Sequence, residues 1–121
     1  YVRATQVLHA TGRAFAQLFE RFDLLLSPTL PKPPQPLGTF DMMSDDIERY
    51  GHEVGQFTSF TAIANIAGNP AASLPLHWTA DGLPVGVQLV ARYGDEAALL
   101  RVSRQLEETK PWFALRPSLG E

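Results

Sequence analysis

The sequence predicts an α/β fold, with about three strands of a mixed sheet flanked by helices. Three observations carry that expectation. Apolar residues recur at helical spacing through residues 2–22. A continuous apolar run, Leu24-Leu25-Leu26, closes on Pro28. Two strand-like runs, residues 71–78 and 85–91, flank an Asp81-Gly82 turn. Helices that alternate with buried strands pack as layers around one core.

Taken in order, the first helix is set by Val7, Leu8, Ala14, Phe15, Leu18, Phe19 and Phe22, which fall on one face. Arg3, Arg13, Gln17, Glu20 and Arg21 fill the others. The run Asp23 to Pro28 shows no polar alternation in its leucines, which predicts a strand buried on both faces. Residues 28–38 then hold five prolines and a glycine. Such a stretch forms neither helix nor central strand and is expected to run extended as a stiff connector.

Ser44-Asp45-Asp46-Ile47-Glu48 offers a helix start, with Asp45 and Glu48 at capping-box spacing. This helix is expected to run to Glu53 and loosen at Gly55. A second helical pattern follows through Phe57, Phe60, Ile63, Ala64 and Ala67, and Gly68-Asn69-Pro70 stops it. In the second strand of the hairpin, Val85, Val87 and Leu89 share one face, and Gly86, Gln88 and Val90 the other. Pro75 and Pro84 each remove a ladder donor, so a bulge or partial pairing is expected there. Asp95 caps the last helix, Leu99, Val102 and Leu106 form its apolar stripe, and Pro111 ends it.

The bulk numbers narrow the class. At 121 residues with 45% apolar content, the chain can bury a core and is not a disordered segment. A net charge of -3 gives no electrostatic footprint for nucleic acid or an anionic membrane surface. No apolar run approaches the roughly 20 residues a membrane span needs. Zero cysteines exclude a disulfide framework and a thiolate metal site, which suits a cytoplasmic protein. The chain opens at Tyr1 and its first methionine is Met42, so a piece of a longer protein is expected.

The search for chemistry is mostly negative. His9, His52 and His77 have no partners at metal-ligand spacing, and Glu48 and His52, four apart, read as a surface pair. No metal and no cofactor are expected. There is no Gly-x-Ser-x-Gly elbow. Ser73 lies inside a predicted strand, where a hydroxyl usually bonds to backbone. The only lysines, Lys32 and Lys110, are expected at the surface, whereas a lysine base needs desolvation.

The order of residues in Phe60-Thr61-Ala62-Ile63-Ala64-Asn65-Ile66-Ala67-Gly68-Asn69-Pro70-Ala71-Ala72-Ser73-Leu74-Pro75-Leu76, followed by Asp81-Gly82-Leu83-Pro84-Val85-Gly86-Val87-Gln88-Leu89-Val90, resembles the carboxyl-terminal segment of the amidase signature family. Asp23 to Thr29 matches an Asp-hydrophobic-Pro-Thr strand end in the same family. The resemblance covers residues 1–110 and is densest at 60–90. It implies amide hydrolysis by a Ser–cis-Ser–Lys triad, with the lysine on an early strand and the serines in a Gly/Ser-rich segment. Neither element has a match here, so no catalytic residue is expected in this chain. Residues 1–121 then form the carboxyl-terminal part of an amidase domain that lacks its catalytic portion. The resemblance also implies that the segment from Phe40 to Phe60 helps wall a pocket for the acyl side of a small-molecule amide. Its candidate substrate-binding residues are Met42, Met43, Tyr50 and Phe57, an apolar set suited to an aliphatic acyl group. Some features are similar to amidases that hydrolyse cyclic nylon dimers, namely the Tyr-Val-Arg-Ala opening and Ser-Pro-Thr-Leu-Pro-Lys-Pro-Pro.

Two rival readings differ in class. One is the A-type subunit of a glutamine-dependent tRNA amidotransferase, but such subunits usually carry an acidic residue where Thr58 and Ser59 stand here. The other is a standalone binding or scaffold module that keeps the fold without the chemistry. On the leading reading, if the amidase piece folds alone, a strand edge and an apolar face left uncovered are expected to drive self-association to a homodimer.

Overall fold

Seven elements follow one another in the computed structural model, which describes residues 1–116: α1 (Val2–Leu18), β1 (Leu24–Pro28), α2 (Ile47–Phe57), α3 (Ala62–Ala67), β2 (Ala71–Trp78), β3 (Pro84–Ala91) and α4 (Glu96–Thr109). The strands form one three-stranded sheet in the order β1-β3-β2, and both pairings are antiparallel. The expected three strands flanked by helices are therefore present.

The β2–β3 hairpin follows its local chemistry. Gly82 adopts φ +78°, the left-handed region that a residue without Cβ enters at least cost. Thr79 closes the turn twice, its amide donating to Leu83 O at 2.9 Å and its hydroxyl accepting from Leu83 N at 3.0 Å. The ladder shifts register between Pro75 and His77, where the proline cannot donate.

The strand β3 is the centre of the molecule, with one buried cluster on each face. On one face Leu89 and Ala91 pack with Leu74 of β2 and Leu99 of α4. On the other, Val90 packs with Phe19 and with Ala64 of α3. The period-two split of β3 is thus the partition between two half-cores. The Asn69 side-chain amide donates to Ala91 O at 2.7 Å, and Arg92 Nη2 donates to Phe19 O at 2.7 Å. These bonds tie the ends of α3 and α1 to the end of β3. The left-handed Gly68 (φ +72°) ends α3, as its sequence predicts.

Four expectations need correction. The first helix stops at Leu18 rather than 22, because Phe19 N and Glu20 N turn back to Ala16 O and Gln17 O in a tighter turn. Its stripe is only partly covered: Val7, Leu8 and Phe22 stay exposed, since α3 is the element packed along α1 among the described residues. β1 is an edge strand. Leu24 and Leu25 pack on opposite faces, but Leu26 is 65% exposed, so burial on both faces holds only at the start of the strand.

The third correction concerns α2. Its cap is Asp46, whose carboxylate accepts from Arg49 N at 2.9 Å, and not Asp45. Ser44 Oγ accepts from Asp46 N at 3.2 Å and holds the cap in place. Fourth, Phe57 closes α2 instead of opening the next helix, so α2 runs past Gly55 and α3 is only one and a half turns long.

Asp95 does cap α4, accepting from Ala98 N at 3.2 Å. Asp95→Ala is expected to cost about 1 kcal/mol, because an orphan amide of the first turn loses its partner. The unfolding midpoint would show it, and Asp95→Asn should recover most of the loss. Among the described residues, no helix is long and apolar enough to cross a membrane.

Candidate functional site

From Thr29 the chain leaves the sheet along the proline-rich arm and returns through α2. Pro31, Pro33, Pro34 and Pro36 fix φ along the arm, but it is not extended throughout as expected, since it bends at residues 29–33 and turns at Leu37-Gly38. Side chains brace it locally: Gln35 Nε2 donates to Pro33 O at 2.9 Å and Thr39 Oγ1 to Pro36 O at 2.7 Å. At the far end Phe40 meets Phe57 of α2, with ring centroids 5.1 Å apart. Both rings line an open cavity of about 480 Å³, together with Lys32, Gln35, Arg49 and Gln56 among others. Next to it a cavity of about 320 Å³ is lined by Tyr50, Arg49, Glu53 and Asp46.

The four candidate substrate-binding residues separate in space. Phe57 lines the first cavity and Tyr50 the second. Met42 and Met43 are 80% and 89% exposed and line neither. The residues not anticipated are Phe40 as the facing aromatic and the Arg49–Glu53 pair on the wall shared by both cavities. The pair has a readable signal, since it is an i,i+4 ion pair with Arg49 Nε 2.9 Å from Glu53 Oε1. Hydrogen bonding to Glu53, and then its charge, holds the Arg49 guanidinium above its ordinary range. The pair is a surface one that orients side chains rather than stabilising the fold.

At the near end of the arm lies a group of neutral hydrogen-bonding side chains on the α1/α3 face of the sheet. Thr29 Oγ1 and Ser73 Oγ are 2.6 Å apart. They belong to the segments on either side of β3 and meet because Gly86 stands between them without a side chain. A Cβ at Gly86 would lie 2.7 Å from both hydroxyl oxygens. Ser73 therefore bonds to a side chain, not to backbone as its strand position suggests. Gln88, only 4% exposed, donates to Ser27 Oγ and Phe60 O, each at 3.3 Å. A cavity of about 350 Å³ beside these groups is lined by Thr61, Asn65, Asn69, Ser73 and Gln88.

No hydroxyl among the described residues is hydrogen-bonded to a lysine or histidine, so none has the base that nucleophilic attack requires. Lys110 donates to Leu76 O and sits 5.8 Å from the Trp78 ring centroid. His52 bonds to Gln56 at 2.9 Å and not to Glu48. Three or more metal-ligating side chains do not gather anywhere among the described residues.

Such an arrangement is that of an α/β segment which builds sheet and cavity wall and, among the described residues, pairs no hydroxyl with a lysine or histidine. Comparison with known proteins places it further. The chain belongs to the Amidase family, whose profile matches residues 1–100. It is 37% identical to a 6-aminohexanoate-cyclic-dimer hydrolase from Paenarthrobacter ureafaciens, over 97% of this chain and 27% of the relative. It is 38% identical to the A-type subunit of a glutamyl-tRNA(Gln) amidotransferase from Pseudomonas putida, over 98% of this chain and 23% of the relative. The solved structure of a 6-aminohexanoate cyclic dimer hydrolase superposes with a TM-score of 0.83 at 35% identity, over 92% of this chain and 24% of the other. The chain thus spans about a quarter of the length of the relatives it matches.

Proposed function

We propose that residues 1–121 are the carboxyl-terminal part of an amidase, a hydrolase of non-peptide carbon–nitrogen bonds. The observation that carries this reading is the superposition on a 6-aminohexanoate cyclic dimer hydrolase across nearly the whole chain, at TM-score 0.83. In the full-length protein a serine from an upstream segment attacks the amide carbonyl, the amine or ammonia leaves, and water resolves the acyl-enzyme. This chain completes the sheet and walls the acyl pocket, with Tyr50 and Phe57 on α2 and the exposed Met42 and Met43 as further contacts. The substrate is a small-molecule amide, with no metal or cofactor required, and neither nucleic acid nor membrane is a partner. A cytoplasmic setting agrees with the absence of cysteine.

The direct test is to supply the full-length protein with 6-aminohexanoate cyclic dimer and with simple aliphatic amides and follow carboxylate formation. Cleavage of an aliphatic amide supports the reading, and cleavage of none of them sinks it. A second reading, the A-type component of a tRNA amidotransferase, is favoured by the 38% identity to the Pseudomonas putida protein. Against it, Thr58 and Ser59 carry no charge to hold an amino group. Glutamine-dependent activity with a co-purifying partner would establish it.

The isolated chain is expected to self-associate as a homodimer. Among the described residues β1 and β2 each pair only with β3, which leaves two strand edges open there, and Val7 and Leu26 are 64% and 65% exposed. Light scattering on a sizing column should give twice the monomer mass. A monomer persisting at high concentration would contradict this.

A further inference from the structure

Four prolines limit the conformations open to the arm as it bends through residues 29–33 and turns at Leu37-Gly38, so the direction in which it leaves the sheet bears on where its far end falls. That direction is set at Thr29. Its backbone amide donates to Gly86 O at 3.0 Å, extending the ladder one residue beyond β1. Its hydroxyl reaches across Gly86 to Ser73 Oγ at 2.6 Å. Two bonds of different direction fix both the position and the rotation of the residue from which the arm departs. Immediately beyond it, Leu30, Lys32, Pro33 and Pro34 form a cavity of about 270 Å³ against Pro75 and Pro84. The arm then delivers Phe40 to Phe57, and Pro31 and Lys32 line the same cavity as that aromatic pair.

We infer that Thr29 is a positioning residue: its hydroxyl bridge to Ser73, possible only over a glycine at position 86, fixes the proline arm and through it the wall made by Phe40 and Phe57. This rests on the reading of that wall as part of the substrate pocket. Thr29 touches no reacting group and acts through the arm alone. Serine at 29 keeps the hydroxyl and the bridge, and valine keeps the shape and loses both. Alanine at 86 places a Cβ against both oxygens, and against Thr29 Cβ at 3.0 Å, so the whole of Thr29 must move.

The test uses the full-length protein carrying Thr29→Val, Thr29→Ser or Gly86→Ala, read by two measurements. The first is hydrogen exchange of peptides spanning 30–41 compared with peptides from β3 and α4. Thr29→Val and Gly86→Ala should speed exchange in 30–41 at the Thr39 amide, the one amide of that segment with a partner among the described residues, about fivefold or more, the scale of a lost hydrogen bond. The β3 and α4 peptides should stay unchanged in Thr29→Val, the α4 peptides should stay unchanged in Gly86→Ala, which lies in β3 itself, and Thr29→Ser should match the parent. The second is steady-state hydrolysis of 6-aminohexanoate cyclic dimer or whichever aliphatic amide the parent cleaves. KM should rise severalfold in Thr29→Val and Gly86→Ala while kcat stays within about twofold, because a misplaced wall weakens uniform binding. Unchanged exchange at 30–41 in Thr29→Val would overturn the inference, as would exchange that accelerates equally in α4. Exchange decides the inference even if the parent cleaves no amide, an outcome that counts against the proposed function instead.

Discussion

Phe19→Ala is expected to destabilise the chain by about 3–5 kcal/mol, the range for emptying a buried aromatic site. Phe19 is 2% exposed and is the largest side chain in the cluster beneath α1 and α3. Its ring meets Phe15 edge-on, at 5.4 Å between centroids, so the substitution also removes an aromatic contact. Its carbonyl accepts from Arg92, and this bond holds the end of α1 against the end of β3. Backbone at position 19 survives the substitution, so the loss is one of packing and not of the Arg92 tie. Phe19→Leu should recover more than half of the stability, which separates lost volume from lost aromatic geometry. Urea unfolding of the chain reads both values.

The second large effect lies on the opposite face. Leu89→Ala is expected to cost about 2–5 kcal/mol. Leu89 is 2% exposed and packs with Leu74 of the neighbouring strand and Leu99 of α4, with Leu24, Leu76 and Val102 around them. Because it lies on the central strand, neither edge strand can move in to fill the space without breaking its own ladder. The two sites belong to separate clusters divided by the backbone of β3. Their effects should therefore add to within about 0.5 kcal/mol in the double variant. Strong coupling would mean that the two half-cores are one.

The parts of this fold legible in the sequence are those fixed locally. Asp81-Gly82, Gly68 before Asn69-Pro70, and Asp95 ahead of Leu99 each name an element boundary through turn or cap chemistry within a few residues. The α2 cap was harder to read because Asp45 and Asp46 are adjacent acids, and only the backbone decides which one faces the free amide of Arg49. The exposed edge of β1 was illegible for a different reason. Its three leucines look the same whether or not a partner covers them, and their burial depends on pairing with residues more than 60 positions away.

The candidate site divides in the same way. Tyr50 and Phe57 sit on a helix, which carries them to the cavities, whereas Met42 and Met43 lie in a turn and are largely exposed. The Thr29–Ser73 bridge joins residues 44 apart, and no local pattern announces it. Its one trace in the sequence is a glycine inside a β-rich run, a sign of close approach by another group.

The most direct measurement is the rate of amide cleavage by the full-length protein and by the isolated 121-residue chain, on the same set of aliphatic amides that includes 6-aminohexanoate cyclic dimer. The account predicts turnover by the full-length protein and only the buffer rate from the chain, whose described residues hold wall and sheet but no hydroxyl paired with a lysine or histidine. Cleavage by the chain alone at the full-length rate, or none by the full-length protein, would contradict it.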